Sequence, residues 1–313
     1  MLSDSPLKAP GYVSKVDRTL LVVRGEHAGQ HLQRFCTADL SQLGSGEGRE
    51  AMFLNAKGKL VGFLEAYFFG DHYLLAGSAG QAETLAAHLD RYVVREDVQF
   101  QDLASSHFVA AIIGQELLDS VTQDMGTRPE SMPAGQSDEK GAYLLASREL
   151  GVEGLWWVVP NDTEAEVQSQ LNDLSGTELP ADATDALRVF NQYPQFGTDI
   201  CEDHLPQELQ RDSLAISFTK GCYLGQETVA RIDALGHVNR LVCGVEGKGA
   251  IPHELPLEIT SGDSPVGQIT SAVPTADATG WLGIGTLKRN ACKSSNELTA
   301  QGKVVSLQPS VPQ

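Results

Sequence analysis

The sequence predicts an α+β protein, with two mixed α+β units followed by a C-terminal antiparallel β-barrel. Three observations lead there. Strand-like and helix-like segments alternate through the first two-thirds of the chain, with hairpin-like turns between neighbouring strands. From Arg240 onward only short strand-like segments recur, separated by glycines. The chain has 313 residues, more than the about 250 that one hydrophobic core usually sustains.

Each element has a local reason. Residues 12–23 read as one strand, and residues 26–40 as a helix and turn with Ala28, Leu32, Phe35 and Leu40 roughly on one face. Residues 51–54, 60–69 and 72–77 suit a meander punctuated by Gly58 and by Gly70-Asp71. Residues 81–92 space Leu85, Leu89 and Tyr92 as a helix, and 93–103 return to strand. A strand at 108–113, a helix at 115–123 and an exposed Gly/Pro/Ser-rich loop at 126–141 follow. Residues 143–146 and 155–159 read as strands and 163–174 as an amphipathic helix. Residues 214–219 read as strand, then a glycine turn, then a helix at 226–233. The barrel strands are expected at 241–246, 257–260, 265–271, 281–287 and 303–307, with a frayed tail at 308–313. The expected domains are 1–103, 104–239 (interleaved with the first) and 240–313.

Composition narrows the function classes. Hydrophobic residues make up 41% and charged residues 20%, which places the chain among folded globular proteins. With 23 basic against 41 acidic residues the net charge is −18, which opposes direct binding of nucleic acid through its phosphates. Residues 1–6 lack the pattern of a signal peptide, and no stretch approaches the roughly 20 apolar residues of a membrane span. A cytoplasmic location without a membrane partner is the expectation. The five cysteines, at 36, 201, 222, 243 and 292, include no Cys-x-x-Cys pair, so they suggest neither a disulfide framework nor a zinc site. Most are expected to be buried small hydrophobes in a reducing compartment.

Residues 220–227 are Lys220, Gly221, Cys222, Tyr223, Leu224, Gly225, Gln226 and Glu227. Gly221 and Gly225 would allow a tight backbone, and Glu227 and Arg231 fall four apart on one helical face. Cys222 would precede a helix N-terminus, with Lys220 adding positive charge and favouring a thiolate. Such a thiolate could bind a soft metal, attack an electrophile or exchange disulfides. A buried cysteine in a packing turn is the other reading. Cys201, Glu202, Asp203 and His204 form a possible metal pair with Cys222, without the spacing of a closed site.

The octapeptide with Arg231 resembles the signature of the YgfZ family, in the glycine-cleavage T-protein (aminomethyltransferase) superfamily. The resemblance extends over roughly the whole chain, through residues 35–40, Asn55 to Lys59, 194–200, 206–208 and 267–271. It implies a T-protein-like folate-binding fold, with the two α+β units set around a central cavity. It further implies tetrahydrofolate or a folate derivative as ligand, with Tyr67, Asn55 and Arg188 as candidate contacts, and iron–sulfur assembly or client proteins as partners. The implied function is accessory: Cys222 and Lys220 would support iron–sulfur cluster assembly or repair, with an indirect effect on tRNA modification.

Active T-proteins place a carboxylate where this chain has Gly62 and Phe63, and another where it has Phe190. These departures argue against aminomethyl transfer, because neither glycine nor phenylalanine carries a proton. A folate-dependent methyl or aminomethyl transferase with another base, and an interaction module with a vestigial pocket, remain as alternatives. Trp156 and Trp157 could stack on a planar ligand, although core packing suits adjacent strand residues better.

Overall fold

The computed structural model describes residues 7, 10–125, 132–173, 177–293 and 297–309. In chain order the first elements are β1 (Gly11–Val13), β2 (Arg18–Arg24), α1 (Ala28–Phe35), β3 (Gly48–Leu54), β4 (Leu60–Phe68), β5 (His72–Ser78), α2 (Ala82–Asp90) and β6 (Gln99–Asp102). There follow β7 (His107–Ile113), α3 (Gln115–Met125), β8 (Ala134–Ser137), β9 (Tyr143–Ala146), β10 (Gly154–Pro160) and α4 (Glu164–Asp173). Strands β3-β4-β5-β2-β6 make one antiparallel five-stranded sheet and β1-β7-β10-β9-β8 a second.

Both sheets are apolar on two faces, so they stack with helices outside. In β2, Leu20 and Val22 enter the core between the sheets, while Leu21 and Val23 pack under α1 and α2. In β10, Trp156 joins the inter-sheet core and Trp157 the core beneath α3 and α4. The two tryptophans are therefore both buried on opposite faces, as the period of two requires in a sheet covered on both sides.

Helices α5 (Ala183–Phe190), α6 (Asp212–Ala215) and α7 (Gln226–Leu235) lead into the barrel. Its strands are β11 (Arg240–Lys248), β12 (Leu257–Ser261), β13 (Ser264–Pro274), β14 (Gly280–Lys288), β15 (Leu298–Ala300) and β16 (Lys303–Leu307), closed in the order β11-β14-β13-β12-β15-β16. The short helix α8 (Arg289–Lys293) follows β14. A further core joins Met52, Leu54, Leu60 and Phe63 of the first sheet to Val242, Val273 and Ile284 of the barrel. Among the described residues no helix is long and apolar enough to cross a membrane.

Several sequence expectations change. Residues 12–23 are two strands in two sheets, broken at 14–17 where Lys15 takes φ 56°. The first helix stops at Phe35, because Cys36 is extended and Asp39 turns the chain by accepting from Ser41 N and Ser41 Oγ. Only 99–102 of the expected strand 93–103 pairs. Part of the expected loop 126–141 is β8, while 126–131 lie outside the described residues. Residues 214–219 form no strand: α6 ends at Ala215, and the segment is anchored at Thr37, whose carbonyl accepts from Ser217 N and whose Oγ1 donates to Ala215 O. Helix α5 and strand β15 were not legible in the pattern. The expected fraying does not begin at 308, since Gln308 N donates to Gly244 O and Pro309 O accepts from Gln192 Nε2; residues 1–6 and 310–313 lie outside the described ones.

Candidate functional site

The thiol loop is fastened on both sides of its thiol, through Lys220 and Leu224. Gly225 caps α7 with φ 82°, and a methyl group there would come within 2.6 Å of Asn55 O. Only glycine combines that conformation with that approach. Asn55 shapes the opposing turn, its Oδ1 accepting from Lys57 N at 2.9 Å and Lys59 N at 3.2 Å. Thr228 Oγ1 donates to Lys57 O, and Leu224 N donates to Arg34 O. Tyr223 is buried in the core shared with the first sheet and the barrel. Cys222, three residues before the cap, is exposed.

Three expectations for this loop are corrected. Lys220 does not serve Cys222. Its Nζ donates to Cys36 O at 3.0 Å and Ala38 O at 2.5 Å, and stands 3.9 Å from Cys36 Sγ. It thereby satisfies two carbonyls of the extended segment that follows α1. Burial lowers the Lys220 pKa and raises that of the enclosed Cys36 thiol. Gly221 has open space around its Cα and an ordinary φ, so the turn does not require it. Glu227 and Arg231 are both exposed, and no ion pair joins them. Gln226 N accepts no role beyond the turn, donating to Tyr223 O as the first residue of α7. Cys36 alone of the five cysteines is fully buried, contrary to the expectation for most of them.

Of the residues of the possible metal pair, only Cys201 and His204 are in contact, with Sγ 3.6 Å from Nδ1. His204 Nδ1 accepts from Cys201 N at 3.1 Å, Asp203 is drawn to Lys59 at 2.7 Å, and burial followed by Arg240 pushes the His204 imidazole down to about 4. Among the described residues no group of three or more His, Cys, Asp or Glu could hold a metal ion.

The second feature is a cavity of about 280 Å³ where the chain crosses from β1 to β2, walled by residues 13–18 and by Glu149, Trp156, Thr184 and Arg188. A groove of about 580 Å³ shares residues 15–18 with it. Arg18 bridges the walls: its Nη1 lies 2.6 Å from Glu149 Oε2 and its guanidinium 4.2 Å from the Trp156 ring centre. Trp156 Nε1 is buried without a hydrogen-bond partner, so one donor stands unsatisfied among the lining residues, which is unusual for a buried polar atom. A larger groove of about 460 Å³ beside Trp157 carries no such pair of charged residues in contact.

Of the expected folate contacts, Arg188 lines this cavity. Nη1 donates to Asp199 Oδ2 at 2.7 Å in a buried ion pair and Nη2 to Ser271 Oγ at 2.8 Å, while Nε donates at 2.6 Å to Asp185 Oδ1, whose side chain is half exposed. Its charge is spent on fastening α5 to the barrel. Tyr67 is fully buried, and its hydroxyl donates to Glu65 Oε2 at 2.6 Å. Burial, with Glu65 beside it, raises the Tyr67 pKa well above its usual value. Asn55 belongs to the thiol loop, not to the cavity. Phe63, at the position of the lost carboxylate, stacks on Tyr193 with ring centres 5.1 Å apart, and Phe190 is half-buried at the end of α5.

Sequence reasoning missed Arg18, Glu149 and the buried carboxyls Glu50 and Glu65. Glu50 and Glu65 face each other across β3 and β4. Glu50 is paired with Arg211 through two bonds, at 2.6 and 2.5 Å. Glu65 has no such cation; it accepts from Arg148 N at 2.8 Å, and burial pushes its carboxyl up to about 7. Charge at strand positions flanked by apolar residues was the available signal, since such residues are seldom buried without a task.

Comparison with known proteins sets these features in a lineage. The model of the GCVT N-terminal domain family matches residues 18–220. A "tRNA-modifying protein YgfZ" of Aliivibrio fischeri is 27% identical over 230 residues, 73% of this chain and 68% of that protein. An "Iron-sulfur cluster assembly factor IBA57 homolog, mitochondrial" of Pyricularia oryzae is 27% identical over 310 residues, 94% of this chain and 75% of that one. The crystal structure of the glycine cleavage system aminomethyltransferase T from Bartonella henselae superposes with a TM-score of 0.84 at 19% identity, covering 97% of this chain and 86% of that one.

Proposed function

The chain belongs to the GCVT family, as a YgfZ-type member of the glycine-cleavage T-protein superfamily with the T-protein fold, and on that premise we propose that it is a folate-binding accessory protein for iron–sulfur cluster assembly or repair in which Cys222 is the working thiol. The observation that carries the reading is the thiol loop: Leu224 and Lys220 are hydrogen-bonded to α1 and the residues just after it, Gly225 sits against the Asn55 turn and Tyr223 is buried, yet Cys222 is exposed. Rigid flanks around an accessible soft nucleophile suit delivery of sulfur chemistry to a partner. The names of the relatives, one a tRNA-modifying protein and one an iron–sulfur assembly factor, support the same class of role, with tRNA modification affected indirectly. The net charge of −18 accords with an effect that does not require gripping RNA.

The residues around the cavity fit a folate in kind. A pterin presents adjacent N–H donors that a carboxylate accepts and ring acceptors that an N–H can meet; Glu149, held by Arg18 at 2.6 Å, supplies the carboxylate and Trp156 an unsatisfied donor. Lys15, paired with Glu164 at 2.7 Å on the rim of the shared groove, is the exposed cation for the carboxylates of a glutamate tail, while Arg18 is held by Glu149. Folate would bring a one-carbon carrier to that site. The chain's own residues would bind and orient it, and Phe63, stacked in the core, offers no proton for transfer.

Two experiments test the reading separately. Cys222→Ser is expected to fold normally and to fail to restore cluster-dependent enzyme activity in cells lacking a YgfZ-type protein; full restoration would remove the thiol from the account. Calorimetric titration with tetrahydrofolate is expected to saturate, and Glu149→Gln to weaken binding about tenfold, in line with loss of a charged hydrogen bond. Absence of saturable heat in the unmodified protein would leave only an interaction module.

A further inference from the structure

The barrel holds a second sulfur site that the spacing of its cysteines does not announce. Cys243 and Cys292 are 49 positions apart, yet their sulfurs lie 3.7 Å from each other. Cys243 is on β11 opposite Gly285 of β14, and Cys292 is on α8, which packs against both strands. Each backbone is fixed independently: β11 is paired on both edges, and Arg289 N at the start of α8 donates to Asn239 O. Both cysteines are partly accessible, unlike Cys36. Among the described residues no other two cysteine sulfurs are in contact.

The surroundings distinguish the two thiols. Gln210 Nε2 donates to Cys243 Sγ at 3.5 Å, and Cys243 Sγ also reaches Leu241 O. The bond from Cys243 lowers the pKa of Cys292, while the same contact and burial raise that of Cys243. The Leu241 carbonyl facing Cys243 Sγ disfavours an anion there and Cys292 meets no such oxygen among the described residues, which casts Cys292 as the attacking group and Cys243 as the resolving one.

We propose that Cys243 and Cys292 form a dithiol–disulfide site that exchanges with low-molecular-weight disulfides of the glutathione type. The Cys292 thiolate attacks one sulfur of the small disulfide, forming a mixed disulfide and expelling one small thiolate. Cys243 releases its proton to water and attacks Cys292 Sγ. The Cys243–Cys292 bond forms, the mixed disulfide breaks, and the second small thiol leaves. Two protein thiols are oxidised and one small disulfide is reduced to two thiols. A disulfide bond is about 2.05 Å long, so the sulfurs must approach by about 1.6 Å, within the reach of side-chain rotation. The product fastens α8 to the barrel wall. This site is independent of Cys222 and of the cavity.

Reduced full-length protein is equilibrated with mixtures of oxidised and reduced glutathione, quenched with acid, denatured, alkylated and mapped by peptide mass. The expected result is loss of alkylation at both Cys243 and Cys292 and appearance of their linked peptide, reversed by reductant. Cys243→Ser is expected to stop at glutathione on Cys292, and Cys292→Ser to leave Cys243 alkylatable. The proposal is overturned if the pair stays reduced while Cys222 takes up glutathione, or if the unmodified protein accumulates glutathione on Cys292 without ring closure. The wild-type result alone decides, so the outcome does not depend on how the serine variants fold.

Discussion

At Gly225 one backbone angle holds two parts of the protein together. Its φ of 82° and the 2.6 Å approach that a methyl group would make to Asn55 O act together, so Gly225→Ala is expected to destabilise by about 1–3 kcal/mol in urea denaturation. Gly221→Ala, in open space, should stay within about 0.5 kcal/mol of the parent. Equal effects at the two glycines would refute this account of the loop. Glu65 poses a different residue-level question. Burial raises its carboxyl from the ordinary 4.5 to about 7, so the native state favours the protonated form. That stabilising contribution is complete below about pH 4.5 and is lost as pH rises through about 7, with a total on the order of 3 kcal/mol. Glu65→Gln is therefore expected to gain stability over the parent at pH 8 and to lose most of that advantage at pH 4, as read from paired denaturation curves. A pH-independent difference would show that Glu65 does not titrate in this range.

Among the elements, α5 depends most on a single side chain. Arg188 ties it to Asp199 and to Ser271 of β13, and Asp199 in turn accepts from Thr270 Oγ1 and Gln195 N. Arg188→Met leaves a buried carboxylate without its cation and should cost about 3–5 kcal/mol; adding Asp199→Asn should recover a substantial part. Recovery of nothing would mean that the packing of α5, not the ion pair, was lost. What could be read of each element beforehand followed how local its cause is. The meander β3 to β5 was legible because Gly58 and Gly70-Asp71 punctuate apolar runs of strand length. The break at 14–17 was not, because nothing in the alternation of 12–23 reveals that its two ends pair with different sheets. The site divides the same way. Cys222 was legible from a contiguous octapeptide, whereas Arg18, Glu149 and Trp156 meet only through tertiary packing. Lys220 was legible as functional in type but not in direction, since its partners at Cys36 and Ala38 lie some 180 positions upstream.

For the molecule as a whole, two stacked sheets and a barrel share residues so that the thiol loop, the cavity and the barrel dithiol stand on different boundaries. The loop lies where α7 meets the turn at Asn55, the cavity where β1 passes into β2, and the dithiol where α8 meets the barrel. Changes at one are thereby insulated from the others, because residues without shared partners contribute independently. The passage from β1 to β2 also sets a timetable. Gly11 pairs with Ile113, so β1 has no partner until β7, some 100 residues later, has been made. The sheet of β2 to β6 contains all of its own strands by residue 102 and is able to assemble while β1 waits. The cavity wall formed by 13–18 then closes only after the second sheet arrives with Glu149 and Trp156. During synthesis the cavity is therefore absent until Glu149, Trp156 and the α5 residues Thr184 and Arg188 have been made, long after the first sheet holds all of its strands.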